Sequence, residues 1–294
     1  MRSVKEGLVF YGRSGLALWW ADKLKRLRSQ KGQYLKLYME VHDFPHSAYL
    51  QQLLSRLDGV VVISQTLADD LAEKAGVPTP KIIVEHDGVA LFRHTFGQDE
   101  ARQQICQQFQ LDPKRPLAIY TGRVNKPKGA ELLLAAAGKL QESGCQLVLV
   151  GKVYDDRYQA QIDAQGWSHV RLTGFLPPSQ IPMVLAAADI LLLPSTADLP
   201  YANYMSPLKL FEYMAAERPI IASDLLVLRE VLQNRHNALL VSTEDVDGWV
   251  EAICQLMQQP ELGQRLAAQA RQDVEQYTWK RRAERILHHL AASN

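Results

Sequence analysis

The sequence is poor in the features that would take it out of the ordinary globular class. Three cysteines occur in 294 residues, Cys106, Cys145 and Cys254, with neither a C-x-x-C pair nor a Cys/His cluster among them. A disulfide framework and a zinc site are both unsignalled, so the expectation is buried thiols, a reducing compartment and no metal. Charge of one sign is not in excess, since 33 Lys and Arg stand against 32 Asp and Glu. Without a global field, nucleic acid is not an expected partner and any charge-based function must be local. No run approaches the roughly 20 apolar residues needed to cross a bilayer, and a basic-then-apolar leader is lacking, so a cytoplasmic location is expected. Tandem repeats and low-complexity tracts are missing too. No G-x-G-x-x-G follows a predicted strand, which argues against a nicotinamide-dependent oxidoreductase.

What is there is 47% apolar and 22% charged, a composition and length suited to two domains. Short apolar runs alternate with longer amphipathic stretches, the signature of βαβ units and parallel sheets. The first half predicts strands near Leu8–Tyr11, Leu35–Val41, Val60–Ser64 and Ile82–Glu85, with helices near Leu16–Gln30, Ala48–Leu57 and Thr66–Ala75. A polar stretch, Thr95–Gln103, leads through a helix to Asp112–Pro116 and reads as a linker. The pattern then restarts with strands at Leu117–Thr121, Gln146–Val150, His169–Thr173, Ile190–Pro194, Pro219–Ser223 and Ala238–Val241. Helical patterns at Val246–Gln258, Pro260–Gln276 and Lys280–Ala292 close the chain. The expected division is a partial first domain at 1–95, a linker at 96–116, a second domain at 117–278, and a terminal helix at 279–294 that could return to the first domain.

In open α/β sheets the ligand sits beyond the carboxyl ends of the strands, so the loops of the second half are where function is sought. The first loaded loop is Gly122-Arg123-Val124-Asn125-Lys126-Pro127-Lys128-Gly129, ahead of a helix at Ala130–Gln141. Cations at a helix start oppose the dipole unless an anion arrives, and a pyrophosphate would fit, with Arg123 as a bidentate fork and Lys128 as a point charge. A solvated basic turn is the plain alternative. The second is Ser206-Pro207-Leu208-Lys209-Leu210-Phe211-Glu212, where Ser206 predicts an N-cap and Pro207 the first helical residue. Its first turn carries Lys209 and no carboxylate, again the reverse of the dipole-complementing choice. Glu212 shares that face and could accept from a ribose diol, or could simply pair with Lys209. Weaker signals are Gly151 at one strand end and Gly174-Phe175 after another, where backbone could approach a nucleobase.

With those residues in view, the second half resembles the retaining GT-B glycosyltransferases of the GT4 type, the group 1 glycosyltransferases. The matching segments are Gly122-Arg123 with Lys128-Gly129, Val150-Gly151, Leu172-Thr173-Gly174-Phe175, Ser206 to Asp224, Leu228-Arg229-Glu230-Val231, and Tyr277-Thr278-Trp279 with Arg282. In the first half, Glu40-Val41-His42-Asp43 looks like the family's acceptor-side E-x-H segment, Val61-Val62-Ile63-Ser64 like its last-but-one strand, and His86-Asp87-Gly88-Val89 like the turn entering the linker. The resemblance implies an α/β GT-B fold of two Rossmann-like domains, the N-terminal one incomplete. It implies hexosyl transfer from a nucleoside diphosphate sugar with retention, and no cofactor or metal. It also implies that Arg123 and Lys128 stabilise the leaving diphosphate, that Glu212 holds the ribose, and that His42 lies near the reacting sugar. The acceptor, whether saccharide, lipid-linked or small molecule, stays open. Family members carry a second glutamate eight positions before Glu212, and here that position is Tyr204. Donor-sugar contacts in Tyr201–Met205 would then rely on backbone N–H groups and hydroxyls.

The first half lacks the strand and glycine-rich loop that normally open such a domain. An exposed inner sheet edge is therefore expected, covered by a second copy or a partner chain, unless this is a shortened form. A non-catalytic, partner-dependent nucleotide-sugar-binding subunit is the rival reading, and a GT-B epimerase fits the motifs less well. Along Leu16–Lys31, Leu16, Trp20, Leu24 and Leu27 share one helical face with Trp19 beside it and Lys23, Arg26 and Lys31 elsewhere. That pattern reads as core or as peripheral contact with the inner face of the membrane.

Overall fold

The computed structural model describes residues 8–29, 35–91, 97–197 and 202–292. Gln30, Lys31, Thr95, Tyr201 and the start of the expected linker at 96 lie outside the described residues. The chain divides into two compact units: one gathers residues up to Gly88, Asn203–Ser206 and the chain from Trp279 onward, and the other holds Val89–Ala202 and Pro207–Thr278.

In unit 1, strands β1 (Leu8–Gly12), β2 (Leu35–Val41), β3 (Gly59–Val62) and β4 (Ile82–Val84) form a parallel sheet in sequential order. Helices α1 (Gly15–Ser29), α2 (Ala48–Arg56) and α3 (Gln65–Ala75) connect them. The run Val60-Val61-Val62 is buried on both faces, as a covered parallel strand requires. Ser64 caps α3, its Oγ accepting the Leu67 N–H at 3.3 Å, and Gly76 ends it in the left-handed conformation at φ 64°. Among the described residues β1 pairs only with β2, and its Leu8 and Val9 are exposed. The predicted stripe on α1 is also exposed, with Leu16 at 70% and Trp20 at 62%, because the helix packs through Leu18 and Ala21 instead.

Unit 2 contains α4 (Gln98–Phe109), β5 (Leu117–Thr121), α5 (Ala130–Leu140), β6 (Gln146–Val150), α6 (Arg157–Ala164), β7 (Val170–Gly174), α7 (Ile181–Ala187) and β8 (Ile190–Leu193). It continues through α8 (Leu208–Ala215), β9 (Ile220–Ser223), α9 (Leu226–Arg229), β10 (Leu239–Val241), α10 (Val246–Gln258) and α11 (Pro260–Asp273). Its sheet runs β10-β9-β8-β5-β6-β7 with every pair parallel, the doubly wound arrangement in which the strand order reverses between β5 and β8. Most of the span read as a linker is α4, which belongs to this unit. Arg102 on α4 donates to Asp189 Oδ2 at 2.7 Å and to the Pro113 carbonyl at 2.7 Å, tying helix and following turn to the sheet.

The last helix, α12 (Trp279–Ala292), lies in unit 1, where Ile286 and Leu290 pack with Tyr38 and Val61. Its Arg282 is buried and donates to Glu40 Oε1 at 3.1 Å and to the His86 carbonyl at 2.9 Å. Burial alone would raise the Glu40 pKa, but hydrogen bonds from His42 and Tyr11 and the Arg282 charge outweigh it and hold the carboxyl at about 2. Arg282→Met should lower stability by about 3 kcal/mol at neutral pH, because Glu40 keeps its charge and loses its counterion. In the unmutated chain the Glu40 contribution is complete above the ordinary carboxylate range and is lost as pH falls toward 2, since the unfolded chain takes up the proton first. Urea unfolding at pH 7 and pH 3 reads both effects, and an Arg282→Met chain as stable as the parent at pH 7 contradicts them. No described helix is long and apolar enough to cross a membrane.

Candidate functional site

At the carboxyl ends of β5, β6 and β7 the main chain closes on itself through three glycines. Gly122, Gly151 and Gly174 have φ of 133°, 144° and 72°, values that side-chain-bearing residues rarely adopt. The Gly122 N–H donates to Val150 O at 2.7 Å and the Gly151 N–H to Gly174 O at 2.9 Å. A Cβ on Gly151 would fall inside the Gly122 carbonyl, and one on Gly122 would displace the Lys209 ammonium. Above this backbone floor opens a cavity of about 580 Å³. Thr121, Gly122 and Arg123 line one side, Gly151, Lys152 and Tyr154 the second, Phe175, Leu176 and Ile181 the third, and Leu208, Lys209 and Glu212 of α8 the fourth.

Helix α8 is anchored by Tyr213, whose buried hydroxyl accepts the Thr121 N–H at 2.8 Å and meets Thr121 Oγ1 at 3.0 Å. That anchor sets Lys209 one turn earlier against the end of β5. Lys209 Nζ donates to the Thr121 carbonyl at 2.6 Å and to the Tyr120 hydroxyl at 3.2 Å, and lies over the Tyr120 ring at 4.2 Å. Burial, helped by the Lys128 charge and opposed by Glu212, pushes its pKa down to about 7. Lys128 is likewise lowered, by burial and by the Arg123 charge, and burial raises Glu212 against the pull of Lys209. Mutually repelling cations with one reluctant carboxylate describe a site whose electrostatics improve when an anion enters.

The structure brings Gly122, Arg123, Gly151, Phe175, Leu208, Lys209 and Glu212 to the cavity wall. Lys128 stands behind them on the turn Lys126–Lys128, its N–H capped by Asn125 Oδ1 at 3.1 Å. Gly129 serves packing, with no room for a side chain against Pro194. The α8 start departs from expectation: Pro207 is the N-cap, Leu208 the first helical residue, and Ser206 caps nothing. Its Oγ instead accepts the Asp87 N–H at 2.9 Å, a partner 119 residues away. Tyr204 is likewise committed elsewhere: its hydroxyl donates to Asp70 Oδ2 at 2.5 Å, its carbonyl accepts from Ser64 Oγ at 3.2 Å, and its ring stacks on Phe44. Tyr204, Met205 and Ser206 all fall in unit 1 and do not line the cavity. Tyr154, Leu176 and Ile181 were not picked out from sequence, although their places in the loops after β6 and β7 were a usable signal.

His42 sits in a separate network at the carboxyl end of β2. Its Nε2 pairs with Glu40 Oε1 at 2.6 Å and its Nδ1 with Arg13 at 3.2 Å. Glu40 also accepts from Tyr11.

The profile of glycosyl transferases group 1 matches residues 101–273, and the chain belongs to that family. It is 26% identical over 218 residues to the alpha-D-kanosaminyltransferase of Streptomyces kanamyceticus, covering 72% of this chain and 54% of that protein. It is 27% identical over 248 residues to the D-inositol 3-phosphate glycosyltransferase of Rhodococcus jostii, covering 81% and 53%. The chain thus spans about half the length of these curated relatives. Among solved structures it resembles Anabaena HepE in complex with UDP, at a TM-score of 0.80 and 18% identity over 97% of this chain and 79% of the other. The two parallel α/β units, with four and six strands, are those of the GT-B glycosyltransferases.

Proposed function

We propose that unit 2 binds a nucleoside diphosphate sugar and that the protein moves the sugar to an acceptor with retention of configuration, as a hexosyltransferase of the GT4 type. The observation that carries this reading is the pair Arg123 and Lys209 on the wall of one cavity of diphosphate-sugar size, with the Lys128 charge near enough to act on Lys209 and with Glu212 as the cavity's carboxylate. In it, Arg123 and Lys209 engage the diphosphate, and Lys128 adds charge from behind. Glu212 accepts from the ribose hydroxyls, and Phe175 with the backbone at Gly174 borders the base. As the bond to the sugar breaks, charge accumulates on the diphosphate, and these fixed cations stabilise it in the role a divalent ion plays elsewhere. The resemblance to the family gives His42 a place near the reacting sugar. The UDP bound to HepE makes uridine diphosphate the first candidate.

Thermal unfolding tests the assignment directly. UDP at 100 times its dissociation constant should stabilise the fold by about 2.7 kcal/mol. Arg123→Ala and Glu212→Ala should each remove most of that shift. If UDP, GDP and ADP all leave the melting temperature unmoved, or if both variants respond like the parent, the reading fails.

A further inference from the structure

A second cavity, of about 400 Å³, opens in unit 2 at the end of the sheet opposite to Lys209, by the amino ends of β5, β8 and β9. Pro116, Asp189 and Pro219 stand immediately before those strands, and Leu256, Met257 and Ala267 give one wall an apolar surface.

The charged groups that line it are unevenly committed. Arg102 uses all three guanidinium nitrogens, on the Pro113 carbonyl, on Asp189 and on the Arg115 carbonyl. Asp189 is occupied in turn by Arg102 and by the Leu117 N–H at 2.7 Å. Arg218 is different. The residue is half-buried, its Nε is shielded from water, and among the described residues no acceptor meets that nitrogen. Burial lowers its pKa, and the charges of Asp189 and Glu217 only partly restore it. The preceding residue, Glu217, is exposed and holds φ at 56°, in the left-handed region that residues with a Cβ seldom adopt. Such conformations persist where the surroundings over-determine them, and they gather at ligand sites.

A buried donor without an acceptor is unfavourable until one arrives, and the lining narrows which acceptor suits it. A planar guanidinium fork matches a carboxylate or a phosphate. Three cations, Arg102, Lys114 and Arg218, face two carboxylates, Asp189 and Glu217, which leaves the cavity a surplus of one positive charge. That surplus suits a monoanion and under-serves a phosphate dianion. The wall of Leu256, Met257 and Ala267 favours a short apolar body over a polyhydroxylated one, whose hydroxyls it would leave without partners.

We propose that Arg218 anchors a second site in unit 2 that binds a small monocarboxylate with an aliphatic or aromatic body, the carboxylate on the Arg218 fork, Lys114 at the rim and the body against Met257. The site does not rest on the transferase reading, for it shares no lining residue with the cavity at the carboxyl ends of the strands.

The test is a chemical-shift titration of the full chain carrying labelled arginine side chains and methionine methyls. The probes are butyrate and benzoate at fixed ionic strength, up to about 100 mM, because one ion pair and a small apolar body support only millimolar affinity. For at least one of them the Arg218 Nε–H and the Met257 methyl should shift and saturate together. Arg218→Met should abolish the Met257 response, and Arg218→Lys, which keeps the charge and loses the fork, should weaken binding about tenfold. The exposed rim supplies two variants that leave the interior intact. Lys114→Ala should weaken binding by up to about fivefold and Glu217→Gln should tighten it by a similar factor, the range of an exposed ion pair. The proposal is overturned if neither carboxylate moves the two resonances, if Arg218→Lys binds like the parent, or if inorganic phosphate or chloride produces the same shifts. Should Arg218→Met fail to fold, the rim variants decide, and unchanged affinity in both overturns it equally. A parallel UDP titration reads the Lys209 cavity, so its failure would count against the transferase reading and leave this site standing.

Discussion

Replacing Lys209 by Met should weaken UDP binding by about 10- to 100-fold, the range expected for one charge-assisted hydrogen bond, yet leave the unliganded protein no less stable near neutral pH. The two effects share one cause. The ammonium is buried and lies near the Lys128 charge, so although the Thr121 carbonyl and the Tyr120 ring receive it, its charge is held at a disadvantage until an anion arrives. With its pKa near 7, folded Lys209 gives up a proton that the unfolded chain retains up to the ordinary lysine value. Stability from this group therefore rises with pH from about 7 toward that value and is lowest below 7, where the buried charge is present in full. Diphosphate binding favours the charged form, so it should take up a proton above pH 7, and affinity should decline there by up to about tenfold per pH unit. Calorimetry in buffers of different ionisation enthalpy measures that uptake. Equal proton uptake by the parent and by Lys209→Met would show that another group titrates.

Gly151→Ala should destabilise unit 2 by about 3 kcal/mol or more, through overpacking and a backbone angle closed to alanine. The added methyl would occupy the position of the Gly122 carbonyl at φ 144°, and the obstruction is main chain, which cannot rotate aside. Relief requires β5 and β6 to part at their carboxyl ends, breaking the Gly122 N–H bond to Val150 and tilting the floor on which Arg123 stands. Denaturant unfolding reads the loss, and an alanine variant of unchanged midpoint would show that the three-glycine closure is not rigid. Gly76 offers a control: its φ is also positive, but a Cβ there meets nothing within 4 Å, so Gly76→Ala carries the conformational cost without the collision.

Much of unit 2 could be read from the sequence because buried parallel strands are short apolar runs. Leu117–Thr121 and Gln146–Val150 are the observed β5 and β6, and Val246–Gln258 is the observed α10. Helix α4 was harder to place, since its glutamine-rich surface buries only Ala101, Ile105 and Cys106 and has the composition of a connector. The cations of the site were legible because Arg123 and Lys209 oppose the local dipole, a conflict visible in one dimension. The roles of Ser206 and Tyr204 were not. A serine before proline at a helix start has the local pattern of an N-cap, and only the tertiary structure supplies the competing Asp87 N–H and the Asp70 carboxylate that claim these side chains.

Because part of the cavity wall is peptide backbone at Gly122 and Gly151, held in place by the Val150 and Gly174 carbonyls, its main-chain groups are the same whatever side chains evolution tries elsewhere. Divergence of ligand preference is therefore confined to the rim, to Lys152, Tyr154, Phe175 and Ile181. Swapping these rim residues between relatives should retune the choice of nucleotide while the anion grip at Arg123 and Lys209 stays constant.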